Sequence, residues 1–553
     1  MKISDFNWIS ILFIHLFLRT IDISTMAYRH SSNIPKDVFP LSLIHLNDFH
    51  SRFEETNKYG LDCKREERED CIGGYARVVA VVKELQRTGS NTIYLNAGDN
   101  FAGTIWYTFG RWNVTSHFLN LLRADVMTLG NHEFDQGPKE LASFLDTIQT
   151  PIVLANIDLN DEVQLKGKFK NSIILNRGNR RIGIIGLISS NTNLESNTGN
   201  IIFLDAVETV RREANKLEAE GVNIIVVLSH CGIDVDFQIA REAGSNVDVI
   251  VGAHSHTFMY NGDPPGVDSQ KYNYPVVVEQ NNGHRVLIVQ AASFAKYVGN
   301  LTVYFNELGE ATRWEGQPVY LGPNVQQDEQ ILNELIPWRE KYQNKKEEPI
   351  AETSIVLNYT SCWYDECLMG DFLTDAYLHS YRKTTNDSGT AVAFAQGGGI
   401  RATIQKGSIT FGDLIMVQPF NNRVDSFDLL GQYIWDAIEY SSTNIHDKNT
   451  NEKHMLQISG MKIVLNATEL RGHRVVSINI FNELFQYEPI DVNRSYRVVA
   501  TDFLAAGGNG YSMFAEHRQN YIPGEADIDA LTNYMKFIQK VEKVDVGRIV
   551  VLI

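Results

Sequence analysis

Leu129, Gly130, Asn131, His132, Glu133, Phe134 and Asp135 run consecutively. They set a neutral amide beside a histidine that is backed, three positions on, by a carboxylate. That grouping suits hydrolysis of a phosphate ester at a metal centre, because a histidine held by a carboxylate can stabilise charge on a phosphoryl group or its leaving oxygen. Upstream, Asp48 and His50 follow the apolar run 41–46, and Asp99 follows Gly98 after the run 92–95. Downstream, His230 follows 224–228, and His254 and His256 follow 247–251. Four short β-like runs thus each lead into side chains of metal-binding type, and the 129–135 motif makes a fifth such fragment. This is the pattern expected when a site is assembled at the carboxyl ends of strands in an α/β sheet.

Any one fragment reads as well as a polar cap on a core strand; the five in this order read as one site. Ligation by Asn, Asp and His without cysteine describes a borderline site for zinc, manganese or a similar ion, and argues against a structural Cys-rich zinc site. His45, His117, His284 and Cys231 lie near these segments and are expected to be buried or solvated side chains without chemistry.

To position such a site the chain must alternate strands and helices. From residue 41 to about 320 it does: apolar runs alternate with helical patterns such as 76–86 and 206–220, the rhythm of an α/β unit. Residues 328–348 form a polar helical stretch with Leu332, Leu335, Ile336, Trp338 and Tyr342, followed by Pro349. It reads as an interdomain helix and linker, the alternative being a surface helix of the first domain. From residue 350 mixed strands and helices restart and run to the end. The expected division is 1–27 signal peptide, 28–327 catalytic domain, 328–349 helix and linker, and 350–553 second α/β domain.

The bulk properties agree. At 553 residues the chain exceeds what one hydrophobic core supports, so two domains are expected. Its 43% hydrophobic and 21% charged content are those of a globular protein. A net charge of −17 argues against nucleic acid or an anionic membrane as partner, so an anionic substrate must be drawn by local positive charge. Lys2, the apolar run 8–18 and the small residues Thr25 and Ala27 read as a signal peptide. The final apolar stretch 549–553 is too short for a glycolipid-anchor signal, so a secreted, extracellular protein without a membrane anchor is expected. Acceptor triplets at Asn113, Asn300, Asn358, Asn386, Asn466 and Asn493 suit that route, Asn300 least because it begins a strand-like run. Cys63/Cys71 and Cys362/Cys367 are locally spaced pairs compatible with disulfides.

The order of Asp48, His50, Asp99, Asn131–His132–Glu133, His230 and His254-x-His256 resembles the calcineurin-like metallophosphoesterases, and within them the 5'-nucleotidase/apyrase family. The similarity runs from about Leu41 to Ile549. It includes Thr104-Ile105-Trp106, Gly397-Gly398-Gly399-Ile400-Arg401 and Phe503-Leu504-Ala505-Ala506-Gly507-Gly508. Other stretches look most like secreted salivary apyrases of blood-feeding flies, among them 43–48, 52–57 and 111–115. The resemblance implies an amino-terminal four-layer α/β/β/α sandwich holding two divalent ions and a carboxy-terminal α/β nucleotide-binding domain, with rotation between them. It places Asp48 and His50 on the first ion, Asp99 between both, and Asn131, His230 and His254 on the second. His256 stands where relatives often carry an amide, and reads either as a further ligand of the first ion or as a residue outside the ligand set.

Two adjacent ions would lower the pKa of water and neutralise phosphate oxygens during in-line displacement. Zinc or manganese is the first expectation, with calcium or magnesium dependence as an alternative. His132, oriented by Asp135, would stabilise the phosphoryl group or leaving oxygen. Arg52 is a candidate phosphate contact, and Arg401 can grip phosphate oxygens in a fork beside the glycine run. Phe420 and Phe503 occupy places where relatives clamp the base.

Three positions depart from the family pattern: Gln396 for Asn, Asn509 for the Asp that grips ribose, and Trp363 for a phosphate-binding Arg. Gln396 and Asn509 remain substrate-binding candidates, while Trp363 should penalise AMP most. The expectation is therefore an apyrase taking ATP and ADP to AMP, which in saliva would inhibit host platelet aggregation. The alternatives are a soluble 5'-nucleotidase making adenosine, and a secreted binder of a host haemostatic protein with weak catalysis.

Overall fold

The computed structural model describes residues 38–58, 63, 69–159, 161–385, 389–420, 422–448, 454–484 and 486–553. The expected signal peptide and the acceptor Asn386 lie outside them. The amino-terminal half has two facing sheets. In the first, strands run in the order Ala311–Gly316, Tyr297–Phe305, Phe39–Leu46, Ile93–Asn96, Val126–Met127, the last three parallel. In the second the order is Val276–Glu279, Arg285–Val289, Val249–Val251, Ile225–His230, Arg180–Ile188, Ser172–Arg177, with the central four parallel.

The strand Phe39–Leu46 shows why the sheets face each other. Successive side chains point to opposite faces: Leu41 and Leu43 join Ile182, Ile184, Val226 and Val249 in the core between the sheets. Ile44 and Leu46 pack on the other face with Val78, Val79 and Phe118 from the helices Tyr75–Thr88 and Ile105–Leu121. The helices Ala206–Ala219 and Ile233–Glu242 cover the outer face of the second sheet through Val210, Ala214, Leu217 and Ile239. Asp205 caps the first of these by accepting from the Glu208 N–H at 2.8 Å. The result is a four-layer α/β/β/α sandwich.

The carboxy-terminal half is a second α/β unit. Its central sheet runs Leu456–Ser459, Ala391–Gln396, Ser495–Thr501, Val424–Leu430, Gln519–Ile522. The helix Leu368–Thr385 packs on one face of that sheet and the helix Gly431–Ser441 on the other. Between the halves lies the helix Glu329–Lys346, capped by Asp328, which accepts from the Ile331 N–H at 3.1 Å. Its sequence is polar, yet Ile331 and Leu335 are buried in a cluster shared with Trp106 of the first half and with Ile350, Leu357 and Met369 of the second, and the buried Tyr342 ring meets that of Trp106. The seam between the halves is therefore apolar. Glu54 ties this helix to the first half by accepting from Arg339, from Lys346 at 3.1 Å and from Trp106 Nε1 at 3.2 Å.

Cys63–Cys71 and Cys362–Cys367 are disulfide-bonded, and Cys231 is a buried thiol that its burial makes harder to ionise. Asn113, Asn358 and Asn493 lie at the surface; Asn300 is half-buried within the strand Tyr297–Phe305. No helix among the described residues is long and apolar enough to cross a membrane.

Candidate metal centre and cleft

The loops after five parallel strands converge at their carboxyl ends. Asp48 and His50 follow Phe39–Leu46, Asp99 follows Ile93–Asn96, Asn131 follows Val126–Met127, His230 ends its strand, and His254 and His256 follow Val249–Val251. Asp48, His50, Asp99, His254 and His256 have φ of 50°, 49°, 54°, 71° and 52°. This left-handed conformation is uncommon for side-chain-bearing residues and persists where surrounding structure enforces it.

The donors form two groups, Asp48/His50/Asp99/His256 and Asp99/His230/His254, each with ligand atoms within 4.8 Å of one another. Asp99 belongs to both. Its Oδ2 lies 3.2 Å from His230 Nε2 and 3.7 Å from His50 Nε2. His256 Nε2 is 3.4 Å from Asp48 and 3.1 Å from His50 Nε2, so it joins the first group. Asn131 Oδ1 lies 3.0 Å from His254 Nδ1 and extends the second.

These residues fit divalent cations. His230 Nδ1 meets the Ala97 carbonyl at 2.7 Å, while its buried Nε2 has no hydrogen-bond partner and points at the carboxylates. Burial disfavours a charged His230, yet Asp99 and Asp48 outweigh it and push the ring up to about 10. That is the signature of an anionic pocket suited to a cation. Burial, only partly countered by Asp99, keeps His50 neutral and its lone pair available. The mixture of imidazole, carboxylate and amide without thiolate suits divalent metal ions.

Beside the cluster, His132 Nδ1 lies 2.8 Å from Asp135 Oδ2, and Ser196 Oγ donates to Asp135 Oδ1 at 2.9 Å. Burial opposes protonation of His132, but Asp135 and Asp99 overcome it and raise its pKa. The His132 N–H donates to Asp99 Oδ1 at 3.0 Å, tying this pair to the shared carboxylate.

Sequence reasoning missed Glu133. Its carboxylate accepts from the N–H groups of Asp99 at 3.0 Å, Asn100 at 2.6 Å and Gly130 at 2.6 Å, locking two ligand loops together. Its place within the motif was the available signal. Gly130 is needed for the same close approach: a Cβ there would sit 2.2 Å from Asp99 Oδ1 and 2.7 Å from His230 Cε1. Glu195, 3.5 Å from His254, carried no sequence signal.

The cluster opens into a cleft of about 1060 Å³ walled by both halves. His132 and His254 line one side; Arg401, Phe420, Phe503 and Asn509 line the other. The Phe420 ring stacks on His132 with centroids 5.0 Å apart and planes 7° apart, and Arg401 lies 5.2 Å from the Phe420 centroid. Asn509 donates to Gln396 Oε1 at 2.8 Å, so the two amides that depart from the family pattern pair with each other.

Two expected phosphate-facing positions lie elsewhere. Arg52 is buried, donates to the carbonyls of His50 at 3.0 Å and Gly103 at 2.5 Å, and rests 4.6 Å from the Phe294 ring centroid; it does not line the cleft. Trp363 packs against the apolar core and is likewise absent from the cleft wall. His45, His117 and His284 contact Tyr274, Glu334 and the Val247 carbonyl, away from the donor cluster.

Comparison with known proteins matches this architecture. Residues 41–258 match the calcineurin-like phosphoesterase family and residues 349–516 the 5'-nucleotidase carboxy-terminal domain. An apyrase of Tabanus yao is 44% identical across 97% of this chain and 99% of its own length. A 5'-nucleotidase-related protein of Glossina morsitans morsitans is 40% identical across 94% and 96%. The crystal structure of a 5'-nucleotidase precursor from Thermus thermophilus superposes with a TM-score of 0.84 at 35% identity, over 93% of this chain and 99% of that one. A phosphoesterase sandwich, a shared carboxylate between two donor groups and a cleft closed by a second domain thus meet in one chain, which belongs to the 5'-nucleotidase family of nucleotide phosphohydrolases.

Proposed function

We propose that this nucleotide phosphohydrolase is an apyrase that removes the terminal phosphates of ATP and ADP and leaves AMP. The observation that carries the hydrolytic reading is Asp99, common to both donor groups, with His132 and Asp135 beside it on the cleft floor. The 44% identity to an apyrase over nearly the whole chain supports the substrate class. Asp48, His50 and His256 would hold one ion, Asn131, His230 and His254 the other, and Asp99 both. Zinc or manganese suits these donors. When bound, two such ions lower the pKa of water and neutralise phosphate oxygens.

The chain's own residues supply the rest. His132, kept protonated by Asp135, donates to the phosphoryl or leaving oxygen as charge develops there. Arg401 takes phosphate oxygens that do not react. Phe420 leaves His132 to stack with Phe503 on the base, and Asn509 and Gln396 meet the ribose. Arg52 acts indirectly, holding the His50 loop through its carbonyls. The functional units are 28–327, the link 328–349, and 350–553. A secreted enzyme of this kind in the saliva of a blood-feeder would destroy ADP that recruits host platelets.

Chromatographic analysis of ATP, ADP and AMP, each offered separately to the purified protein, tests the assignment. ATP and ADP should end as AMP. Rapid conversion of AMP to adenosine would replace the apyrase reading with a 5'-nucleotidase.

A further inference from the structure

Glu195 ends the short helix Thr192–Glu195, in a segment whose serines and asparagines line the amino-terminal wall of the cleft. Its Oε1 lies 3.5 Å from His254 Nε2. The other nitrogen of that ring, Nδ1, lies 3.0 Å from Asn131 Oδ1. The imidazole is therefore held edge to edge: Nδ1 faces the donor cluster and Nε2 faces a carboxylate. The His254 N–H donates to Asp48 Oδ1 at 3.0 Å, which fixes its backbone, while the ring meets Asn131 at Nδ1 and Glu195 at Nε2.

We infer that Glu195 is a positioning residue for the second ion, acting through His254. A histidine that binds a cation through one nitrogen must keep the lone pair there, and it donates its other N–H. A carboxylate accepting that N–H fixes tautomer and ring orientation and raises the basicity of the ligating nitrogen. Glu195 does this for His254 from a segment that contributes no ligand itself. The contrast with His230 is chemical: its Nδ1 meets the neutral Ala97 carbonyl at 2.7 Å, whereas the ring of His254 is backed by a charge. The adjacent Ser196 donates to Asp135, so two consecutive residues brace two different parts of the centre. The inference rests on the ligand assignment proposed above.

The test uses the full-length enzyme with Glu195→Leu, Glu195→Gln, Ser196→Ala and His254→Ala. Zinc and manganese affinity and stoichiometry are measured by chelator competition, and kcat and KM for ADP at saturating ion. Glu195→Leu should weaken the second ion about 10- to 100-fold, the usual effect of losing such a partner, while excess ion restores KM. Glu195→Gln, which keeps an amide acceptor, should fall between wild type and Leu; it decides the matter if Leu does not fold. Ser196→Ala should slow turnover with wild-type ion affinity. Wild-type ion affinity in both Glu195 variants would overturn the inference. So would a raised KM for ADP with ion affinity intact, because Glu195 would then be a substrate contact. Wild-type affinity in His254→Ala would overturn the ligand assignment itself, and this inference with it.

Discussion

Asp48, His50, Asp99, His254 and His256 in the amino-terminal half all have positive φ, whereas among Arg401, Phe420, Phe503 and Asn509 across the cleft only Asn509 does. The first set is held by backbone that tight loops and neighbouring hydrogen bonds enforce; the second reaches the cleft mainly through long or aromatic side chains. Damage should follow that division. Changes in the first half should disturb ion binding and the chemical step, and changes in the second should shift nucleotide affinity while leaving the chemistry in place.

Asp99→Ala should show the largest effect. One carboxylate serves both donor groups, so both ions should be lost and hydrolysis should fall by at least about 10³-fold, the scale of removing a preorganised charge-stabilising element. Metal analysis beside kinetics checks it, and retention of both ions would break the comparison at its base. His132→Ala should keep metal content near wild type and slow turnover by about 10²-fold or more. Equal metal loss in the two variants would make His132 a structural residue.

Gly130→Ala sharpens the point about backbone. The added methyl would fall 2.2 Å from Asp99 Oδ1, so the loop must shift. Overpacking of this kind costs about 1–3 kcal/mol, read as a lower melting temperature together with weaker ion binding; unchanged values for both would show that the loops have slack. The smallest effects belong to the opposite wall. Phe420→Ala and Phe503→Ala should raise KM for ADP by roughly 3- to 10-fold, from about 0.5–1.5 kcal/mol of stacking. Hydrolysis of a small aryl phosphate, with no base to stack, should be nearly unchanged. Equal loss on both substrates would mean that the rings are structural.

The same division decides what the sequence discloses. Each donor in the first half follows an apolar strand, so Asp48, Asp99, His230 and His254 are conspicuous as polar residues where a buried run stops, whereas the pairing of two sheets face to face is implied only by resemblance to a family. Arg401, Phe420 and Phe503 stand in segments where an arginine or phenylalanine is ordinary, and only resemblance to a family singles them out. Trp363 shows the limit of position-by-position transfer, since apolar packing holds it, and Arg52, a candidate phosphate contact from its place two residues after His50, turns its guanidinium to the carbonyls of His50 and Gly103 instead. The apolar seam was hidden because the helix Glu329–Lys346 buries only three widely spaced hydrophobic residues in an otherwise polar stretch. Glu195 was hidden because its partner lies far along the chain, on another strand's loop.

Glu133 makes the centre vulnerable at a point that touches no ion. Four N–H groups from two loops, those of Asp99, Asn100, Phe101 and Gly130, converge on its two oxygens, and a carboxylate can serve them because it only accepts. Glutamine has nearly the same shape but turns one oxygen into a donor, which would face an N–H head-on. Glu133→Gln should therefore splay the loops carrying Asp99 and Asn131 apart, so that the mildest change of chemistry becomes a mechanical failure shared by both ion positions.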